Sequence, residues 1–464
     1  MPDVTTRIAW FRRDLRLGDN PALLAAAAGA DRVVPLFVHD PALAGPSGAN
    51  RLAFLHACLD SLDADLGGRL VERAGDPAEV VPALAEEVGA DEVHVAEDFG
   101  PYGAARDDAV EAALRAAGRA LEREGSPYAV PPGTLHTGGG TPYKVFTPFS
   151  KAWRGHGWDG PRPAPTGVDW ADGVRSDPRP ATPAPTATEG LPPAGEAAAR
   201  EVAAAFVEHH VAGYTEDRNR PDLDLTSRLS AHLKYGTVHP RQLLALAGRG
   251  GGAATWTNEL CWRDFYADVL HHHPESARHD LDPSMAGLEW DTGPVADERF
   301  EAWTRGRTGF PIVDAGMRQL LALGWMHNRV RMITASFLVK DLHVHWHRGA
   351  RWFLQHLVDG DLASNNHGWQ WVAGTGTDAA PFFRIFNPTT QGQRFDPSGD
   401  YVRRWVPELR EVAGKAVHEP WKLGGGDLFG AAATGYPEPI VDHAVERVEA
   451  LARYERRRAT TSGA

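Results

Sequence analysis

Ile8-Ala9-Trp10-Phe11 and, further on, Val33-Val34-Pro35-Leu36-Phe37-Val38 are short apolar runs bounded by charged or turn residues. Buried parallel strands carry this signature, because both of their faces are covered. Asn20-Pro21 and Asp76-Pro77 each set a good N-cap before a proline, which is the chemistry of a helix start. The pattern predicts helices over 21–29, 51–66, 77–88 and 104–122, with weaker strands at Leu70-Val71 and Val93-His94-Val95. Strands that alternate with helices argue for an α/β doubly wound parallel sheet. No Gly-x-Gly-x-x-Gly and no Walker loop falls within residues 1–130, so the usual dinucleotide fingerprint is missing from the alternating stretch.

Nine of the 33 residues from 161 to 193 are Pro, which reads as an extended linker. Beyond it, helical periodicity dominates, over 196–212, 239–247, 255–273, 311–322, 325–340 and 347–358. The expected order is an α/β domain over 1–130, a linker over 131–195 and an all-α domain over 196–464. The chain has 464 residues and only two cysteines, Cys58 and Cys261. That excludes a disulfide framework and favours a reducing cytosol. No apolar run approaches the roughly 20 residues of a membrane span, and the N-terminus lacks a secretory apolar region, so a cytoplasmic chain is expected. A net charge of −13 argues against indiscriminate coating of nucleic acid, yet leaves room for a local basic groove. Tryptophan is abundant, at 15, and most lie after residue 250. Such a density suits large flat ligands, stacked bases or electron transfer.

Four constellations stand out. Thr226-Ser227-Arg228-Leu229-Ser230 sets three hydroxyls and an Arg before a helical segment, which suits a diphosphate seat or an ordinary N-cap. Glu259, Trp262 and Arg263 fall at i, i+3 and i+4 of a helix, on one face. An acid, an indole and a guanidinium there suit a planar hydrogen-bonding ligand, or a surface ion pair on an amphipathic helix. Asn328, Arg331 and Met332 share the same spacing, and a buried Arg331 needs a carboxylate, which Asp359 or Asp361 could supply. Asn365-Asn366-His367-Gly368-Trp369-Gln370-Trp371 packs amides and indoles together, and Gly360 and Gly368 permit close backbone approach to a ligand. The histidines at 271–273 and at 343, 345 and 347 do not converge on one helix face, so no metal is expected. Cys261 reads as a buried structural thiol.

Trp10-Phe11-Arg12-Arg13-Asp14-Leu15-Arg16-Leu17, Thr226 to Ser230, the Glu259–Arg263 and Met326–Met332 stretches, Asp359-Gly360-Asp361 and Trp369-Gln370-Trp371 together resemble the cryptochrome/photolyase family. The resemblance covers essentially the whole chain apart from the Pro-rich segment and the tail, and is nearest to bacterial class I photolyases of cyclobutane pyrimidine dimers. It implies an antenna-bearing α/β domain and a helical domain with FAD, active in its reduced anionic form. It implies that Tyr214, Thr226, Ser227, Arg228, Leu229 and Ser230 line the phosphates and ribityl chain. Arg331, Asp359, Gly360, Asp361 and Asn365 would surround the flavin ring, with Arg331 paired to Asp359 and Asn365 at N5. Glu259, Trp262, Asn328, Met332 and Trp371 would take a flipped-out dimer. Arg218, Arg263, Arg329, Arg384 and Arg394 would contact DNA phosphates, so that binding weakens with salt. Trp369, Trp346 and Trp290 match a relay that re-reduces the flavin. No membrane and no oligomer is implied; a monomer is expected.

Within the family, the resemblance favours dimer repair. Repair of (6-4) photoproducts uses His where this chain has Asn328. A blue-light receptor acting through a protein partner, the alternative, would carry a longer signalling tail and is weakened by Asn365, Trp371 and Glu259. The loop Asp98-Phe99-Gly100-Pro101-Tyr102-Gly103-Ala104-Ala105-Arg106-Asp107 resembles relatives that bind 8-hydroxy-5-deazaflavin rather than methenyltetrahydrofolate, with Phe37, Arg51, Asp98 and Lys234 as the implied antenna residues. This loop also reads as a plain strand-to-helix connection.

Overall fold

The structure, a computed structural model, describes residues 4–377, 384–423 and 435–462, with backbone alone at 461 and 462. Contacts divide the chain into two compact units. One comprises Met1–Pro185, Pro192–Ala212 and Ser227–Pro274; the other comprises Thr186–Leu191, Gly213–Thr226 and Glu275–Ala464.

The first unit is built on five parallel strands: β1 (Thr6–Phe11), β2 (Arg32–His39), β3 (Val71–Ala74), β4 (Ala90–Val95) and β5 (Ala120–Arg123). Their order is β3-β2-β1-β4-β5. Trp10 lies opposite Leu36 on one side and Val95 on the other. The order reverses between β1 and β4, which makes that crevice the switch point of a doubly wound sheet. Asn20 and Asp76 cap their helices as expected, accepting from Leu23 N at 3.1 Å and Ala78 N at 2.9 Å. The expected helix over 104–122 needs correction. It runs from Pro101 to Ala116, Gly118 turns the chain in the left-handed region at φ 73°, and the next residues form β5, with Leu121 opposite Val93. Only glycine takes that turn without steric cost.

The helices Glu196–His209, Ser230–Tyr235 and Gly251–His272 belong to this unit too. The stretch expected as linker contains a helix, Phe146–His156. The Pro-rich part has neither helix nor regular strand, but it is stitched to the sheet. Val33 N donates to Asp169 O at 2.9 Å, and Ala171 N donates to Val33 O at 2.8 Å. Arg179 makes a bidentate contact with Glu72 at 2.8 and 2.6 Å, and His39 meets the same carboxylate at 2.6 Å. Burial alone would raise the Glu72 pKa; His39 and Arg179 outweigh it and bring the pKa down to about 2. A carboxylate depressed in the fold stabilises it above the unfolded pKa, and that stability is lost as pH falls. Acid unfolding of the wild type should therefore carry a contribution on the order of 2–3 kcal/mol lost between about pH 4.5 and 2. Arg179→Leu should flatten that limb in equilibrium unfolding followed from pH 5 to 2. An unchanged acid limb would refute the clamp.

The second unit is helical. Its core gathers Trp303, Phe337, Trp346, Phe353, Trp369 and Tyr401. The expected helices at 311–322, 325–340 and 347–358 stand at Pro311–Leu323, Asn328–Lys340 and Trp346–His356. Pro294–Thr304, Leu362–Ala373 and His443–Ser462 are further helices. The last runs through the tail left outside the family resemblance. It is tied down where His343 meets Glu446 at 2.8 Å and Arg453 meets Asp291 at 2.8 Å. Among the described residues no helix is long and apolar enough to cross a membrane.

Candidate cofactor and substrate site

In the first unit, Glu259, Trp262 and Arg263 lie on the Gly251–His272 helix, as their spacing requires, but their side chains part company. Trp262 stacks on Phe146, with ring centroids 3.6 Å apart and planes 5° apart. One indole face is thus covered. The Arg263 guanidinium turns inward, donating to Pro127 O at 2.7 Å and Leu233 O at 3.1 Å and lying 4.4 Å over Tyr128. It is built as an internal clamp, and the expected phosphate contact is corrected accordingly. The neighbouring Asp264 is the hub that periodicity did not reveal. Its Oδ2 accepts from Ala129 N, Val130 N and Trp153 Nε1 at 2.9–3.1 Å. Burial pushes its pKa up to about 6 against the pull of Arg263.

The hydroxyl-rich segment leads into the short helix Ser230–Tyr235. Leu229 sits at its cap position and no side-chain capping bond forms, so the ordinary N-cap is not what these hydroxyls make. Arg228 holds a left-handed conformation at φ 49°. Such a conformation costs about 1–3 kcal/mol for a non-glycine residue and marks functional backbone.

In the second unit, Arg331 donates to Asp359 Oδ2 at 2.8 Å and to Met326 O at 2.8 Å. The Asp359 side chain is 2% exposed. Its Oδ1 is buried and has no hydrogen-bond partner. A half-satisfied buried carboxylate is costly, and a donor from a bound molecule would complete it. Thr226 Oγ1, in the same unit, is likewise buried without a partner. Tyr214 is buried. Asp361 caps the Leu362–Ala373 helix, accepting from Ser364 N at 3.1 Å, a role not assigned to it from sequence. Gly360 is buried between the two acids.

Asn365 follows on that helix. Its Nδ2 donates to Ala350 O at 3.1 Å and to Asn366 Oδ1 at 2.9 Å. With both amide hydrogens spent inward, the side chain offers Oδ1 as an acceptor. On the same helix Asn366 donates to Ala277 O at 2.7 Å, and Gln370 donates to Ser276 O at 2.8 Å. Trp369, one turn beyond Asn365, lies edge-on to Phe353 at 5.0 Å and to Trp303 at 6.0 Å. A Cβ on Gly349 would come within 2.2 Å of the Trp369 ring; glycine there lets the Trp346–His356 helix close on the indole. Trp346 shares that helix face, one turn earlier, and is fully buried. His345 bridges it to Trp290, with centroids 5.8 and 5.1 Å away.

Asn328 is exposed and Met332 half-buried on the Asn328–Lys340 helix. His327 is the N-cap of that helix, accepting from Arg329 N at 3.2 Å. Arg329 donates to Asn219 Oδ1 at 2.8 Å and lies 4.6 Å over Phe395, and Arg394 lies 5.1 Å over the same ring. Arg218 is the immediate neighbour of Asn219. Arg384 lies 5.4 Å over Trp371. Three of the expected phosphate-binding arginines are therefore grouped around Asn219 and Phe395, and a fourth is set on Trp371.

Of the antenna residues, Arg51 accepts at its carbonyl from Oη of Tyr235, the neighbour of Lys234 in sequence, at 2.9 Å. Phe37 is buried against His39. Asp98 is held by Arg106 at 3.3 Å and Gly100 N at 3.1 Å. Burial opposes its ionisation, but Arg13, Arg12 and Arg106 keep its pKa below the ordinary value. A Cβ on Gly103 would come within 2.2 Å of the Asp98 carboxylate, so glycine there lets that side chain lie against the helix. Among the described residues no group of His, Cys, Asp or Glu could hold a metal ion. Both cysteines are buried, and burial pushes the Cys58 thiol up to about 12.

Two family patterns match the chain: "FAD binding domain of DNA photolyase" over residues 256–456 and "DNA photolyase" over residues 7–167. The deoxyribodipyrimidine photo-lyase of Streptomyces griseus is 46% identical, over 98% of this chain and 99% of its own. A class III photolyase structure from Agrobacterium tumefaciens superimposes with a TM-score of 0.92 at 38% identity, covering 99% of each chain. A cryptochrome from Synechocystis sp. PCC6803 superimposes at 0.88 with 27% identity, covering 97% of this chain and all of that one. The chain belongs to the DNA photolyase family. Its fold, a parallel α/β sheet followed by a mostly helical region, is the one these structures share, and the sequence identity is greater to the two photolyases named than to that cryptochrome.

Proposed function

We propose that the chain is a deoxyribodipyrimidine photo-lyase that repairs cyclobutane pyrimidine dimers in DNA, rather than a blue-light receptor. The observation that carries the reading is the Arg331–Asp359 pair, whose buried carboxylate leaves its second oxygen unsatisfied, six residues before an Asn365 amide fixed as an acceptor. That donor–acceptor set fits the edge of an isoalloxazine, and the family pattern for FAD covers it. When bound, FAD supplies a light-driven electron to the dimer and takes it back after ring opening.

The chain's own residues bind, orient and exclude water. Asp359 Oδ1 would take a hydrogen bond from the cofactor, and Arg331 would supply the positive charge that favours its anionic reduced form. Asn365 Oδ1 would accept from an N–H of the flavin ring. Tyr214, Thr226, Ser227, Arg228, Leu229 and Ser230 take the ribityl-diphosphate, and Asp361 fixes the helix that carries Asn365. The residues assigned to the flipped pyrimidines are Glu259 and Trp262, the latter backed by Phe146, in the first unit, and Asn328, Met332 and Trp371 in the second. A dimer that pairs and stacks poorly lowers the cost of flipping. Arg218, Arg329, Arg384 and Arg394 hold the phosphates. Trp369, Trp346 and Trp290 re-reduce the cofactor after adventitious oxidation. Residues 1–130 serve the antenna, 131–195 connect, and 196–464 bind FAD and DNA. The antenna of this reading is 8-hydroxy-5-deazaflavin, ahead of methenyltetrahydrofolate, at Phe37, Arg51, Asp98 and Lys234. The protein acts as a monomer in the cytoplasm.

Trp371→Ala should weaken binding of dimer-containing DNA about tenfold, the loss of one stacked base, and Glu259→Gln should lower repair per absorbed photon. Both should retain FAD. Gel-shift titration and photorepair of chemically reduced protein check this. Two variants that repair like the wild type would overturn the substrate assignment.

A further inference from the structure

We infer that Asp280 is a positioning residue for photoactivation, its carboxylate holding the indole N–H of Trp346 so that this tryptophan stabilises the electron hole passing through it. The inference rests on the relay reading above and concerns a residue that reading does not use. Trp346 is fully buried, and its Nε1 donates to Asp280 Oδ1 at 2.8 Å. Removing one electron from an indole makes its N–H far more acidic and leaves a positive charge on the ring. A carboxylate on that N–H stabilises the oxidised state more than the neutral one, because a hydrogen bond to a charged partner is roughly twice as strong as a neutral one.

The surroundings concentrate this effect. The His347 ring lies 3.9 Å from Trp346. Burial and the nearby His345 hold its pKa down to about 4, so at pH 7 it brings no positive charge against the hole.

The backbone on either side of Asp280 is also held in place. Gln370 Nε2 donates to His279 O at 3.2 Å, and Leu281 N donates to Gln370 Oε1 at 2.7 Å. One residue farther on, Asp282 N donates to Thr375 O at 2.9 Å. Gln370 follows Trp369 on the same helix. The helix that carries Trp369 therefore also anchors the backbone flanking the acid that meets Trp346.

The electron balance closes with one added reductant, a thiol in solution. Trp346 gives one electron to oxidised Trp369, and its N–H proton shifts toward Asp280. Trp290 returns an electron to Trp346, and the proton moves back. An added thiol in solution re-reduces Trp290, losing an electron and a proton.

The test uses full-length FAD-loaded protein, with flash photolysis in the presence of a thiol and photorepair after chemical reduction. Asp280→Asn should lower the photoreduction yield about fivefold, the difference between a charged and a neutral acceptor. It should also shift the indolyl radical signal toward the shorter-lived cation, with repair by reduced protein unchanged. Asp280→Glu should recover both yield and radical lifetime. If Asp280→Asn matches the wild type while Trp346→Phe abolishes photoreduction, Asp280 has no such role and the relay stands. If Trp346→Phe photoreduces normally, the relay falls and this inference with it. Equal loss in the Asn and Glu variants would assign Asp280 to loop structure and overturn the inference.

Discussion

Blue light and a thiol should leave FAD oxidised in a Trp369→Phe variant, at the background rate of free flavin, while the same variant, once chemically reduced, repairs dimers at the wild-type yield. The substitution is mild for the fold. Trp369 is 3% exposed and packs edge-on to Phe353 and Trp303, and a phenyl ring keeps most of that contact at the cost of a small cavity. It is severe for charge transfer, because a phenyl ring is far harder to oxidise than an indole. Repair needs no net electron from the protein, since the electron lent to the dimer returns. The two assays therefore separate. Absorbance of the oxidised flavin under illumination gives the first, and dimer loss from an oligonucleotide gives the second. Normal photoreduction in this variant would remove Trp369 from the relay. Loss of both activities would show a packing role instead.

Much of this was legible in the residues. Two buried apolar runs and two Asn/Asp-Pro helix starts were enough for the alternating sheet, because parallel strands covered on both faces and capped helices leave strong local marks. A guanidinium in an apolar helix demanded an acid, and Asp359 meets it. What escaped was written in tertiary contacts. β5 is four residues long and follows an Ala-rich helix, so only the glycine turn announces it. Helical spacing put Trp262 and Arg263 on one face, yet adjacent side chains on a helix diverge by about 100°, and each found its own partner, Phe146 for one and the carbonyls of 127 and 233 for the other. Asp264 and Asp280 are ordinary in sequence. Their roles come from what reaches them across more than 60 residues of chain.

Arg331→Met should destabilise the helical unit by about 3 kcal/mol, the low end for stranding one partner of a buried pair, and should weaken FAD retention. The low end is chosen because the Arg331 side chain is 24% exposed while that of Asp359 is 2% exposed; some water already screens the cation. Without the guanidinium, Asp359 loses its partner and offers FAD a different edge. Arg331→Met combined with Asp359→Asn separates the two consequences. The double variant no longer buries a lone charge, so most of the lost stability should return, short of the hydrogen bond to Met326 O that both variants lose. The positive charge does not return. The double variant should therefore fold and bind FAD, yet hold the reduced cofactor less firmly against reoxidation by air than the wild type does. Denaturant unfolding of the single and double variants measures their coupling, and the reoxidation rate of photoreduced protein measures the charge. Equal stability in all three proteins would show that the pair is a surface contact. Wild-type reoxidation in the double variant would show that Arg331 is a structural partner of Asp359 and does not act on the cofactor.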